Sequence, residues 1–68
     1  MAYTKATHDD WLLKAATMGA GDIVNLYPRG ELTAIDARLA IKAQGLTRRL
    51  VYQHGNRLWV ERLPDPSP

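Results

Sequence analysis

Arg48-Arg49-Leu50-Val51-Tyr52-Gln53-His54-Gly55-Asn56-Arg57-Leu58-Trp59-Val60-Glu61-Arg62-Leu63 reads as two strands, Arg48 to Gln53 and Arg57 to Leu63, joined through His54-Gly55-Asn56. Its register decides which side chains meet the core. With a two-residue loop, Gly55-Asn56, Tyr52 opposes Trp59 and Val51 opposes Val60, which leaves apolar groups on both faces. With a three-residue loop, Tyr52 opposes Leu58 and Leu50 opposes Val60. One face then carries Leu50, Tyr52, Leu58 and Val60, and the other Arg49, Val51, Gln53, Arg57, Trp59 and Glu61. A single buried face specifies register strongly, so the second pairing is expected. It also sets Arg49 against Glu61 and Val51 against Trp59.

Upstream, Thr33 and Asp36 have capping-box spacing, and Gly45-Leu46 have the order of a Schellman stop that sets Leu46 against Ile41. They bracket a helix over 33–44 whose inward stripe reads Leu32, Ile35 and Leu39, with Ala40 and Ala43 beside it. Before it, Ile23-Val24-Asn25-Leu26-Tyr27 is a strand ended by Pro28-Arg29-Gly30. Thr7 and Asp10 repeat the capping spacing, Trp11, Leu12, Ala15 and Ala16 recur at helical intervals, and Gly19 is placed to end that helix in a left-handed conformation, giving a helix over 8–18. The tail Pro64-Asp65-Pro66-Ser67-Pro68 cannot continue a ladder and is expected to be disordered or extended. The expected fold is one α+β domain over 1–63, of order α-β-α-β-β, with two helices packed on a small, largely antiparallel three-stranded sheet.

A chain of 68 residues supports one domain with a thin core, which makes a homodimer a natural supplement. Cysteine is absent, which excludes disulfides, thiolate catalysis and cysteine-ligated zinc. No segment is apolar for the roughly 20 residues a membrane span needs, and Met1 to Lys5 lack the apolar run of a secretory signal. No membrane partner and a cytoplasmic location, in a host cytoplasm if phage-encoded, are expected.

Charge is unevenly placed. Residues 1–37 set Lys5, Lys14 and Arg29 against Asp9, Asp10, Asp22, Glu31 and Asp36, a net −2. Residues 38–63 set Arg38, Lys42, Arg48, Arg49, Arg57 and Arg62 against Glu61, a net +5. The second half suits a polyanion or an acidic protein surface. Arg38, Lys42, Arg48 and Arg49 are candidates for a basic strip on phosphates, although cations near a helix C-terminus are also simply favourable to the dipole. Trp59, beside Val51 and flanked by Arg49, Arg57 and Gln53, is a candidate for stacking on a base or, with Val51 and Tyr27 as further anchors, for holding a protein partner. Cover by the first helix or by a second copy is the other reading of that face.

His8-Asp9-Asp10 does not converge on a metal ion, since helix capping accounts for the carboxylates. Gly19-Ala20-Gly21 precedes a strand and lacks the lysine of a phosphate loop. Ser67 is the sole serine, and no carboxylates cluster, so no catalytic set, cofactor or metal site is expected.

The stretch Ala34-Ile35-Asp36-Ala37-Arg38-Leu39-Ala40-Ile41-Lys42-Ala43-Gln44-Gly45-Leu46-Thr47-Arg48-Arg49, with the hairpin after it, resembles the recognition helix and wing of winged helix-turn-helix proteins. That resemblance implies DNA binding, with Arg38 and Lys42 on the recognition helix and Arg57 at the wing tip. The chain carries one helix between strand one and the hairpin where those proteins carry two. In size and composition it is similar to small accessory proteins of bacteriophages and mobile elements. The expected function is therefore a non-enzymatic regulator that binds nucleic acid through a basic helix and hairpin. The alternative is a protein-binding inhibitor or adaptor that blocks a host or defence complex.

Overall fold

The structure, a computed structural model, describes residues 2–66. Met1, and Ser67 and Pro68 of the expected disordered tail, lie outside the described residues. The elements run β1 (Tyr3–Ala6), α1 (Trp11–Thr17), β2 (Ile23–Leu26), α2 (Ala34–Ala43), β3 (Arg49–His54) and β4 (Arg57–Arg62). The α+β class stands, but the expected sheet is corrected: it has four strands, is mixed, and runs β1-β2-β4-β3. β1 pairs parallel with β2, and β4 lies antiparallel between β2 and β3. β1, β2 and β3 therefore all point the same way.

The missed strand is Tyr3-Thr4-Lys5-Ala6. Four residues offer only two inward positions, too few for an alternation to register, and the partner lies across a helix. Its fastening comes from Ile23, whose N–H donates to Ala2 O at 2.8 Å, and from Asp22, whose carboxylate accepts from the N–H groups of Ala2 and Gly19. Both β-α-β connections step in the same direction across the sheet, so a single crossover hand places both helices on one face. The core agrees: Trp11 and Ala15 of α1, and Ala37 and Ile41 of α2, pack with Val24, Leu26, Val51, Leu58 and Val60 in one cluster.

Local chemistry explains the helix ends. Thr33 caps α2, its hydroxyl oxygen accepting from Asp36 N–H at 3.2 Å. Gly45, at φ 70°, donates to Lys42 O, and Leu46 N–H donates to Ile41 O, the bond pair of a Schellman motif. Between these caps α2 is rotated from the expected stripe. Ile35 and Leu39 are 66% and 62% exposed, whereas Ala37 has no exposure at all. Ala15 has none either, so each helix meets the sheet through an alanine that permits close approach. α1 begins at Trp11 rather than residue 8, after a turn in which the Asp10 carboxylate accepts from Thr7 N–H and Thr7 Oγ1. Gly19 is not left-handed. The helix leaves through Met18 in an extended conformation, and Gly21 takes the positive φ of 83°.

The hairpin register is the two-residue one. Val51 opposes Val60, Tyr52 opposes Trp59, and His54 opposes Arg57 around Gly55-Asn56. Gly55 has φ 56° and Asn56 is not left-handed, which fits a type II′ turn with glycine first. Turn chemistry and the pairing of β4 with β2 override the tidier pattern of the three-residue loop. Val51 is consequently buried in the core, and Leu50 and Tyr52 face the other way.

In the hairpin, Arg49, Val51 and Gln53 turn their backbone groups away from β4, toward the open edge of the sheet. Val51 O accepts from Arg38 Nη2 there at 3.2 Å, and Gln53 Oε1 accepts from Ala34 N–H at 2.8 Å. At the opposite edge, Lys5 O accepts from Lys14 Nζ at 2.7 Å. Among the described residues no helix is long and apolar enough to cross a membrane.

Candidate nucleic-acid interface

With both helices on one side, the other face of the sheet carries no covering element among the described residues. The register orders its side chains in rows across the strands. One row reads Tyr3, Ile23, Glu61, Leu50, and the next reads Lys5, Asn25, Trp59, Tyr52. Arg57 and His54 make the third, with Tyr27 beside them: the Arg57 guanidinium lies 5.1 Å from the Tyr27 ring centroid. The open face therefore holds all three tyrosines of the chain and one of its two tryptophans. Trp11 alone among the aromatic residues is in the core.

Large aromatic side chains are usually the first to be buried. Here Tyr3, Tyr27 and Tyr52 are 58%, 57% and 46% exposed. Tyr3, Ile23, Tyr52, His54, Trp59 and Glu61 line a shallow depression of about 430 Å³ on this face. Asn25, between Lys5 and Trp59 by register, does not line it; it is only 6% exposed, and its Oδ1 has no hydrogen-bond partner among the described residues. A buried, unpaired amide oxygen in a central strand is costly, and no internal contact accounts for it.

The cations expected to form one strip are divided among different tasks. Arg49 crosses to the end of α1, with Nε donating to Ala15 O at 3.1 Å and Nη2 to Ala16 O at 3.2 Å, while Nη1 donates to Thr47 O. Burial, and then the charge of Arg62, push its guanidinium below the ordinary value. Arg38 holds Val51 O, and Arg57 covers Tyr27. Lys42 makes no hydrogen bond or ion pair among the described residues. Arg38, Lys42 and Arg49 do converge on one groove of about 390 Å³ between the end of α2 and β3. Arg48 does not line it. Its carbonyl accepts from Leu63 N–H, and its charge reaches Asp65, whose carboxyl is held low chiefly by the hydrogen bond from Arg62.

Trp59 thus lies on the open face, as expected, with Tyr52 and Asn25 as neighbours in place of Val51 and Arg49. Tyr3, Tyr52 and Asn25 are absent from the sequence-derived site. The Gly55-Asn56 turn was the signal that would have moved Tyr52 outward, whereas Tyr3 depends on β1. The chain matches no family model, no curated protein and no solved structure.

Proposed function

We propose that this protein is a non-enzymatic, regulatory nucleic-acid-binding domain that takes a single strand on the open face of its sheet. The observation that carries the reading is the export of four of five aromatic rings to the one uncovered face. Bases offer a flat π-surface whatever their identity, and aromatic side chains on an open four-stranded sheet are a recurrent way to hold them. Lys5 and Arg57 flank the rings on this face and supply charge for the backbone, and the whole chain carries +2. The winged-helix docking suggested by the second half has less support, because Arg38 is engaged with the β3 edge.

A second reading, a protein-binding inhibitor or adaptor, draws on Ile23 and Leu50, which extend the aromatic surface with aliphatic groups and suit a protein anchor. Fluorescence anisotropy of a labelled mixed-sequence single-stranded 12-mer, at low and near-physiological salt, separates the two. Single-strand binding that weakens with salt and is at least fivefold weaker in Trp59→Ala supports the first reading. No anisotropy change at low salt rejects it and leaves the protein partner, an acidic surface or a second copy.

A further inference from the structure

We propose that the groove between α2 and β3 is a phosphate-binding channel continuing the open face around the sheet edge, so that one single strand of nucleic acid engages both. The inference rests on the single-strand reading above and adds a second contact region and a path. The groove is lined by Arg38, Lys42 and Arg49, and among the described residues no carboxylate lines it. The side-chain ion pairs among the described residues, Lys14–Asp10 and Arg62–Asp65, involve none of these three. Arg49 is partly desolvated and lies within reach of the charge of Arg62, both of which disfavour its charged form. A bound anion relieves both penalties.

The backbone around the groove leaves it accessible. Gly45 forms part of its wall at φ 70° with open space where a side chain would stand. Arg38 commits one nitrogen, Nη2, to Val51 O, and Lys42 commits none. These groups therefore keep donors for phosphate oxygens, Lys42 as a point charge and Arg38 as a partial fork.

The path follows from β3, which belongs to both regions. Tyr52 and His54 line the depression on the open face, and Arg49 and Val51 line the groove on the helix side. β3 is an edge strand, with no strand beyond it among the described residues. From β1 to β3 the sheet is three strand spacings wide, about 14 Å. A strand stacked from Tyr3 through Trp59 to Tyr52 leaves the face at this edge, next to the groove.

The test compares a single-stranded 4-mer with a 12-mer across a salt series, using wild type, Lys42→Glu and Lys42→Gln, with Trp59 fluorescence and anisotropy as readouts. Among the described residues Lys42 is exposed and unpartnered. Lys42→Gln is expected to keep nearly the wild-type melting curve. Lys42→Glu should melt slightly lower because it sets a negative charge at the C-terminal end of α2, so binding is compared at a temperature where all three proteins are folded. The 12-mer should show the steeper salt slope, by roughly 0.7 for each additional phosphate held. Lys42→Glu should lower the 12-mer slope by about 0.7 or more while leaving 4-mer affinity within twofold, with Lys42→Gln smaller in effect. Equal slopes for the two lengths in wild type, or a 12-mer slope unmoved by Lys42→Glu, overturn the channel while the open-face reading survives. Absence of Trp59 quenching by either oligonucleotide at low salt overturns both.

Discussion

Tyr52 and Trp59 stand directly opposite each other across β3 and β4, on the face of the sheet that neither helix covers. Cross-strand aromatic pairs contribute to a sheet as well as to any ligand that stacks on them. Trp59→Ala is expected to lower affinity for a single-stranded oligonucleotide by about 1–3 kcal/mol, or roughly 5- to 150-fold. Tyr52→Ala should fall in the same range. Trp11 is buried, so quenching of the intrinsic fluorescence on titration should report on Trp59. Binding unchanged in both variants would remove the pair from the interface.

Asn25 sits between Lys5 and Trp59 with its amide oxygen unpaired. Replacing it by valine removes an unsatisfied acceptor and installs a strand former. The expected gain is about 1 kcal/mol, a rise in Tm of roughly 4–8 °C for a domain of this size. If the amide faces ligand, oligonucleotide affinity should fall in the same variant. A drop in Tm measured by circular dichroism would mean that the folded protein already satisfies this group.

Arg49 belongs to the frame more than to the surface. Its three nitrogens reach carbonyls of Ala15, Ala16 and Thr47 and join the end of α1 to β3. Arg49→Ala should destabilise by about 1–3 kcal/mol, since the loss uncaps helix carbonyls as well as breaking charged hydrogen bonds. Arg49→Lys should recover little of this, because one ammonium cannot fork across three acceptors. Urea denaturation measures both. Equal stability of Arg49→Ala and wild type would return this side chain to the list of free cations.

Asp22 receives backbone hydrogen bonds from Gly19 and Ala2, in that order of effect, and these hold its carboxyl below the ordinary value of 3.8. A depressed carboxylate contributes stability that is complete above the unfolded value and is lost as pH falls through the folded one. Asp10, held low by the N–H of Thr7 and by Lys14, acts in the same direction. Wild type should therefore lose Tm below about pH 4. Asp22→Asn should start lower at neutral pH and show a flatter acid limb. Parallel acid limbs for the two proteins would show that Asp22 does not anchor β1.

What could be read from the sequence was the chemistry that acts within a few residues. Thr33 with Asp36, and Gly45 with Leu46, announce their hydrogen bonds by residue type and spacing, and those ends of α2 form as expected. The side α2 presents was not readable in the same way. Ile35 and Leu39 look like core, yet close approach of helix and sheet favours Ala37, and the larger pair is left outside. The hairpin misled for a related reason. A tidy polar face is expected of a sheet that faces only water, and this sheet exposes Tyr3, Tyr52 and Leu50. The departure from tidy patterning coincides with the candidate interface. β1 was illegible because its pairing depends on a partner twenty residues away.

The outward carbonyls at the two margins of the sheet, Lys5 O and Val51 O, are each occupied by a cation from the overlying helix, Lys14 and Arg38. A short sheet with sticky aromatics on one side has every ingredient for growing strand by strand into a fibril. Each of these two side chains obstructs one position of an otherwise open edge. Removing them together turns a question of recognition into one of colloidal behaviour, with Lys14→Ala/Arg38→Ala expected to raise thioflavin-positive aggregation while either single change is partly protected by the other margin.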